Sequence, residues 1–158
     1  MPKFAVWLFI SALVVALDQF TKSLVMQHIA YGDVFTVTPF FDLILAHNRG
    51  AAFSLFADAG GWQHWFFSVI AVVASIVIIF LLRKYARQIL FSLALSLVMG
   101  GALGNLIDRL QFGYVVDFLY FHYAGWSFPA FNVADSAITC GAVLLVWDSF
   151  RKPTHEPS

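Results

Sequence analysis

Four aspartates in or beside long apolar segments are the residues of this chain best placed to do chemistry. Asp18, Asp108 and Asp135 fall within or at the end of such segments, and Asp117 follows Asp108 by nine residues. An ionisable side chain at the centre of a membrane helix costs about 2.5 to 3.5 kcal/mol on insertion scales. Acids retained in such positions mark a reaction centre or an ion path, so these four are candidate functional groups.

Amide and basic side chains accompany the acids at short spacing. Lys22, Asn105, Arg109 and Asn132 each stand within four residues of one of them. Asp18 and Lys22 share one face of a helix, so they could instead form a structural ion pair, with Lys22 extending outward.

Three further positions have a structural interpretation beside the chemical one. Asp108 next to Arg109 fits an ion pair or a helix-end cap as well as a chemical group, and Asn48-Arg49-Gly50 fits a turn. Asp135 is predicted to lie about four residues, or about 6 Å, inside a helix with no basic residue within a turn. A purely structural role is therefore not expected for Asp135.

The composition indicates that lipid is the main solvent of this chain. Of its 158 residues, 61% are hydrophobic and 11% are charged, with a mean hydropathy of +0.81. Soluble domains have roughly 45–50% apolar and 25% charged residues. The formal net charge of zero argues against a nucleic-acid partner. One domain over residues 1–158 is expected at this length.

Four segments are long and apolar enough to span a bilayer, which needs about 20 residues. They cover residues 4–28, 62–82, 88–107 and 130–147 approximately. We therefore predict an all-α membrane protein built as a four-transmembrane-helix bundle. The first span is expected to be a retained anchor, because Asp18-Gln19-Phe20-Thr21-Lys22 stands where a signal peptide would have small residues at a cleavage site.

The basic residues predict the orientation of the bundle. Six of the nine fall on one side of the four-span arrangement: Lys3, Arg83, Lys84, Arg87, Arg151 and Lys152. Because cytoplasmic loops are enriched in Lys and Arg, both termini are expected in the cytoplasm. The polar ends of the first and third spans and the start of the fourth then meet near the outer face.

Two extracytoplasmic segments, residues 31–58 and 110–129 approximately, complete the predicted architecture. The first alternates polar and apolar residues around 34–38 and 41–45, which predicts a small β-cradle. Residues 111–131 contain nine aromatic residues, the density expected of rings at headgroup level. This second segment is predicted to be an interfacial lid.

The sequence gives little support for a metal site, a phosphate-binding loop, or a serine or cysteine nucleophile. The five histidines have no metal-ligand spacing, so no metal is predicted. The run Gly100-Gly101-Ala102-Leu103-Gly104 favours close helix packing over a phosphate loop, because no strand precedes it and no Lys-Ser/Thr pair follows. The sequence has no Gly-x-Ser-x-Gly elbow, and its single cysteine, Cys140, lies deep in the fourth span.

Five blocks, in order and over nearly the whole chain, resemble lipoprotein signal peptidase, the bacterial signal peptidase II. They are Asp18-Gln19-x-x-Lys22, Asn48-Arg49-Gly50-Ala51-Ala52-Phe53-Ser54, Gly101-x-x-Gly104-Asn105-x-x-Asp108-Arg109, Val116-Asp117-Phe118 and Phe131-Asn132-x-Ala134-Asp135-Ser136.

The resemblance implies a membrane aspartic endopeptidase that removes the signal peptide of a diacylglyceryl-modified prolipoprotein by cutting before the lipidated cysteine. It implies no cofactor and sensitivity to cyclic peptides of the globomycin type. The expected location is the bacterial inner membrane, and a monomer is the expected state. The residues it assigns are the catalytic pair Asp117 and Asp135, the substrate-site residues Asn48, Gly101, Asn105, Arg109 and Asn132, and the supporting residues Asp18, Lys22 and Asp108.

Two carboxyl groups in a partly dry site suit this chemistry, because one keeps a proton while the other stays a base. Two other classes compete with a peptidase. A small transporter or proton relay would also place acids in the membrane, but the second span has no charged residue. A structural subunit would tolerate loss of either acid.

Overall fold

The computed structural model describes residues 2–50 and 61–151. In them the chain forms helices α1 (Pro2–His28), α2 (Gln63–Tyr85), α3 (Ile89–Phe112) and α4 (Val133–Phe150), and strands β1 (Val34–Thr38), β2 (Phe41–Asn48), β3 (Val115–Tyr123) and β4 (Trp126–Ser127). All four helices are long and apolar enough to cross a membrane. The predicted four-helix membrane architecture with a small sheet is confirmed. Residues 51–58 of the first predicted outer segment, and Lys152, lie outside the described residues.

Helix α3 is the centre of the bundle and packs against the other three helices. A buried apolar cluster joins α1, α2 and α3 and consists of Trp7, Ile78, Leu82, Leu95 and Met99. Large apolar side chains such as Phe9, Phe80 and Trp147 point outward and are exposed. An apolar surface of this extent suits lipid as the surrounding solvent.

Glycines allow the helices of the bundle to approach closely. A Cβ atom on Gly100 would lie 2.6 Å from Cβ of Val14 in α1, and one on Gly101 would collide with the backbone oxygen of Ala134 in α4. Neither position has room for a larger residue. The predicted packing role of this glycine run is confirmed.

The four strands form one antiparallel sheet in the order β1-β2-β3-β4, at the end of the bundle where α1 and α3 finish and α4 begins. Residues 34–38 and 41–45 are strands, as predicted. The aromatic segment also forms strands, which were not predicted. Strands β3 and β4 turn at Ala124 and Gly125, both with positive φ, the geometry of a tight hairpin.

Four helix ends differ from the predicted boundaries by three residues or more. Helices α2 and α4 end later than predicted, at Tyr85 and Phe150, and the other two differences lie at the polar end of the bundle. Helix α3 continues to Phe112 and stops at Gly113, whose φ of 74° is favourable for glycine and whose N–H donates to the backbone oxygen of Arg109. Helix α4 begins only at Val133, capped by Asn132. The predicted start near residue 130 is too early, since Phe131 instead pairs with Leu119 of β3.

Candidate active site

A buried ion triad joins α1 to α3. Lys22 Nζ lies 2.7 Å from Asp18 Oδ2 and 2.8 Å from Asp108 Oδ2, and all three side chains are at most 1% exposed. The structural pairing of Asp18 with Lys22 is therefore present. Asp108 pairs with Lys22 rather than with its neighbour Arg109, and it also accepts a hydrogen bond from Val116 N at 3.0 Å.

The triad also reaches the start of α4. Asp18 Oδ1 accepts a hydrogen bond from Ala134 N at 2.8 Å. Gln19, which is not among the predicted site residues, donates to Asp108 Oδ1 at 2.8 Å and to the backbone oxygen of Gly104 at 3.1 Å. These polar contacts thus hold α1, α3 and α4 together, and each of those that join two helices involves a residue of α1.

Asn105 connects this triad to the acid of α4. Its Oδ1 accepts hydrogen bonds from Lys22 Nζ at 3.0 Å and from Asn132 Nδ2 at 3.1 Å. The amide can therefore point only one way, and its Nδ2 donates to Asp135 Oδ1 at 2.8 Å. Lys22 orients Asn105, and Asn105 holds Asp135.

Asp135 has a structural partner at the start of α4. Its N–H donates to Asn132 Oδ1 at 2.9 Å, and its Oδ2 accepts from the backbone N–H of Asn132 at 3.3 Å. The two residues form a capping box, which satisfies otherwise unpaired N–H groups at the helix start. The predicted depth of about four residues inside the helix is wrong, because α4 begins later than predicted and places Asp135 in its first turn, where it also caps the helix.

Asp117 enters the same network from strand β3. Its Oδ1 accepts a hydrogen bond from Asn132 Nδ2 at 2.8 Å, and its Oδ2 accepts one from Asn48 Nδ2 at 3.0 Å. Asn48 also makes the predicted turn, because its Oδ1 accepts from Gly50 N at 2.9 Å. One asparagine, Asn132, therefore bonds to both Asp117 and Asp135.

The surroundings of Asp117 favour its protonated form. Burial, and then the nearby charge of Asp135, raise the pKa of Asp117 from 3.8 to about 7, against the opposing effect of the Asn48 hydrogen bond. A carboxyl group with such a pKa is half protonated near neutral pH, which suits proton transfer at that pH.

Arg109 and Gly101 occupy different surroundings. Arg109 interacts through its charge with Asp135, Asp108 and Asp117, and its guanidinium carbon lies 5.5 Å from the ring centre of Phe67 on α2. Gly101 is buried at the contact of α3 with α4. Hydrogen bonds and ion pairs thus join eight of the ten predicted site residues into one network. Arg109 interacts with the acids of this network through its charge, and Gly101 lies in the helix packing beside it.

The arrangement can move protons at neutral pH in a site that excludes most water. The buried carboxyl group of Asp117 and the half-buried carboxyl group of Asp135 both bond to Asn132, and a lysine and an arginine lie close by. Among residues 2–50 and 61–151, no three His, Cys, Asp or Glu side chains are grouped as metal ligands. Four membrane spans with two acids at one end suit a membrane-embedded aspartic hydrolase.

Comparison with known proteins identifies the family. A family model described as "Signal peptidase (SPase) II" matches residues 10–151. Lipoprotein signal peptidases of Burkholderia mallei (strain SAVP1), Burkholderia pseudomallei (strain 668) and Burkholderia ambifaria (strain MC40-6) are each 55% identical over 148 residues, which cover 94% of this chain and 89% of each relative.

Solved structures agree with the sequence relatives. A bacterial membrane enzyme, solved by the in meso method, matches with a TM-score of 0.82 and 34% identity over 98% of this chain and 95% of its own. A second such structure matches with a TM-score of 0.80 and 33% identity over 94% of this chain and 95% of its own. The chain belongs to the signal peptidase II family.

Proposed function

We propose that Asp117 and Asp135 form the aspartic dyad with which this chain hydrolyses the peptide bond before the diacylglyceryl-modified cysteine of a prolipoprotein. Membership of the family means that the chain is a peptidase that removes signal peptides from prolipoproteins. The observation that carries the assignment of the two acids is their common partner, because Asn132 bonds to both carboxyl groups.

The two acids have different tasks in this proposal. Asp117, with a pKa of about 7, holds the proton that the pair shares. Asp135 carries the negative charge, which is favoured by the positive end of the α4 dipole and by the charge of Arg109. Asp117 is therefore the acid and Asp135 the base of the first step.

The reaction then follows from the positions of the protons. Asp135 takes a proton from a water molecule as the water oxygen bonds to the scissile carbonyl carbon, and Asp117 gives its proton to the carbonyl oxygen. In the second step Asp135 returns its proton to the leaving nitrogen while the carbon–nitrogen bond breaks. Asp117 recovers a proton from one hydroxyl of the intermediate, so the pair ends as it began.

The neighbouring polar residues are proposed to hold the substrate and the dyad. Asn48, Asn105 and Asn132 supply amide groups to the two acids, and Arg109 provides a positive charge for the developing oxyanion. Asp18, Lys22 and Asp108 form the ion triad, which supports the site through the contact of Lys22 with Asn105. Gly101 is proposed to shape the substrate site by letting α4 approach α3.

The setting proposed for this reaction is the bacterial inner membrane, with both termini in the cytoplasm and the dyad near the outer face. The basic residues Arg83 and Lys84 at the end of α2 and Arg151 after α4 support that orientation, because they lie at the opposite end from the sheet. We also propose a monomer that is inhibited by globomycin-type cyclic peptides. Cysteine labelling from either side of the membrane tests the orientation.

The function is tested by the position of the cut. The purified protein, reconstituted in lipid, is incubated with a diacylglyceryl-modified precursor, and the new N-terminus is sequenced. We expect the product to begin at the modified cysteine, and an unmodified precursor to remain largely uncut. A product that begins elsewhere, or equal cleavage of both precursors, would refute the proposed specificity.

A further inference from the structure

A polar cavity lies at the end of the sheet that is remote from the paired acids. Its volume is about 310 Å³, and it is lined by Asp42, Tyr120, His122, Gly125, Trp126 and Ser127. None of these residues belongs to the motifs of the family or to the polar network around Asp117. The cavity therefore needs an explanation of its own.

The strand register separates this cavity from the dyad. Asp117 pairs with Ala46, whereas Tyr120 pairs with Asp42. Asp117 and Tyr120 are three residues apart on β3, which is about 10 Å along a strand, and an odd separation directs their side chains to opposite faces of the sheet. A ligand in the cavity would therefore not occupy the space beside Asp117.

A buried carboxyl group in the wall is incompletely satisfied. The side chain of Asp42 is 10% exposed, and its Oδ2 lies 2.8 Å from Nε2 of His122. Its other oxygen, Oδ1, is buried and has no hydrogen-bond partner among the described residues. A buried acceptor without a donor is unfavourable, so the cavity favours a ligand that brings an N–H or O–H group to Asp42.

The other residues that line the cavity restrict which class of ligand it can bind. Tyr120 and Trp126 bring aromatic rings, which attract cations, and Asp42 repels anions. A primary ammonium group carries three N–H donors and a positive charge, so it can satisfy Asp42 Oδ1 and contact the rings. A quaternary ammonium has the charge without the donors, and an anionic group has the wrong sign.

We propose that this cavity binds the primary ammonium of a membrane lipid headgroup. Two observations favour a lipid as its source. The sheet lies at one end of four membrane spans, and exposed rings surround the cavity, with Tyr123 74% and Trp126 64% exposed, as expected of side chains at headgroup level. Trp126 and Ser127 also offer donors for the phosphate of the same headgroup.

The test measures which lipid the protein retains. The full chain is reconstituted in nanodiscs with equal amounts of phosphatidylethanolamine, phosphatidylcholine and phosphatidylglycerol, and the lipids that stay bound after mild extraction are quantified by mass spectrometry. We expect retention of phosphatidylethanolamine about tenfold above phosphatidylcholine, the factor that one hydrogen bond to a charged group supplies. Phosphatidylglycerol should be retained least.

Matched variants assign the preference to the cavity. Asp42→Asn should abolish it, whereas Asp33→Asn, at an exposed acid before β1, should leave it intact. Trp126→Ala changes an exposed ring and should reduce the preference several-fold, so it provides a second test if Asp42→Asn does not fold. Both cavity variants should still cleave the precursor, because neither residue bonds to Asp117, Asn132 or Asp135.

Three results would overturn the inference. Equal retention of phosphatidylethanolamine and phosphatidylcholine by the wild-type protein would show that no headgroup amine is recognised. An unchanged preference in folded Asp42→Asn would place the lipid elsewhere. Displacement of the lipid by a lysine-containing peptide from the mature part of the substrate would assign the cavity to the precursor instead.

Discussion

Replacing Lys22 by methionine tests the ion triad on which the rest of the site depends. The ammonium of Lys22 is within 2.8 Å of both Asp18 and Asp108, and the three side chains are at most 1% exposed. Methionine is similar in length but carries no charge. The variant would leave two negative groups buried between α1 and α3 without their cation.

The size of the effect follows from the burial of the pair. Removing one partner of a buried ion pair costs about 3 to 5 kcal/mol, because the remaining charge is left uncompensated. Lys22 serves two carboxylates, so a loss of about 5 kcal/mol in the free energy of unfolding is expected. Lys22→Met should also slow cleavage, since Lys22 orients the Asn105 amide that donates to Asp135.

Reversible unfolding in mixed detergent micelles measures this loss. Lys84→Met, at an exposed lysine on the opposite end of the bundle, is the matched control and should change stability by less than about 0.5 kcal/mol. The double variant Lys22→Met with Asp18→Asn should recover part of the loss, because one uncompensated charge is gone. A loss below about 1 kcal/mol for Lys22→Met, or a double variant less stable than the single one, would refute the reasoning.

Three further predictions concern the dyad and its packing. The rate of cleavage should fall as the pH rises through about 7, because Asp117 then loses the proton that it donates; a rate that stays constant across neutrality would contradict this assignment. In Asn48→Ala the same fall should move to higher pH, since the Asn48 hydrogen bond lowers the pKa of Asp117, and pH–rate profiles of the two proteins measure the shift. Gly101→Val should lower the free energy of unfolding by about 1 to 3 kcal/mol, because its side chain would meet the backbone of Ala134, and an unchanged unfolding transition would argue against tight packing there.

The spans and the meeting of the polar residues could be predicted from local properties of the sequence. Apolar length indicates each span, and alternating span direction brings the ends of the first and third helices to the start of the fourth. The structure accordingly joins Lys22, Asn105 and Asp135 by hydrogen bonds although they are far apart in the chain. Composition and periodicity suffice for this level of the fold because lipid imposes a fixed length on every span.

Features that depend on pairing between distant residues were not predictable in the same way. The aromatic segment forms β3 because β2 offers it a partner, as in the pairing of Leu43 with Leu119, and aromatic content alone does not reveal that partner. Gln19 was overlooked because the acid it contacts, Asp108, lies on another helix.

The start of α4 was misplaced for a related reason. The apolar residues before Asn132 extend the hydrophobic pattern, but the backbone of Phe131 bonds to Leu119 of the sheet and so leaves the helix. Asp135 then lies in the first turn and forms its capping box with Asn132. A sequence pattern locates helix ends poorly when a neighbouring strand competes for the same backbone groups.

Single-turnover cleavage of a diacylglyceryl-modified precursor by Asp117→Asn and Asp135→Asn tests the central claim most directly. Asparagine keeps the shape of each side chain but can neither donate nor accept the transferred proton. Each variant, folded and inserted in lipid, should cleave at least about a hundredfold more slowly than the wild-type protein, while Asp33→Asn should cleave normally. Cleavage at a rate near that of the wild-type protein by either dyad variant would contradict the account.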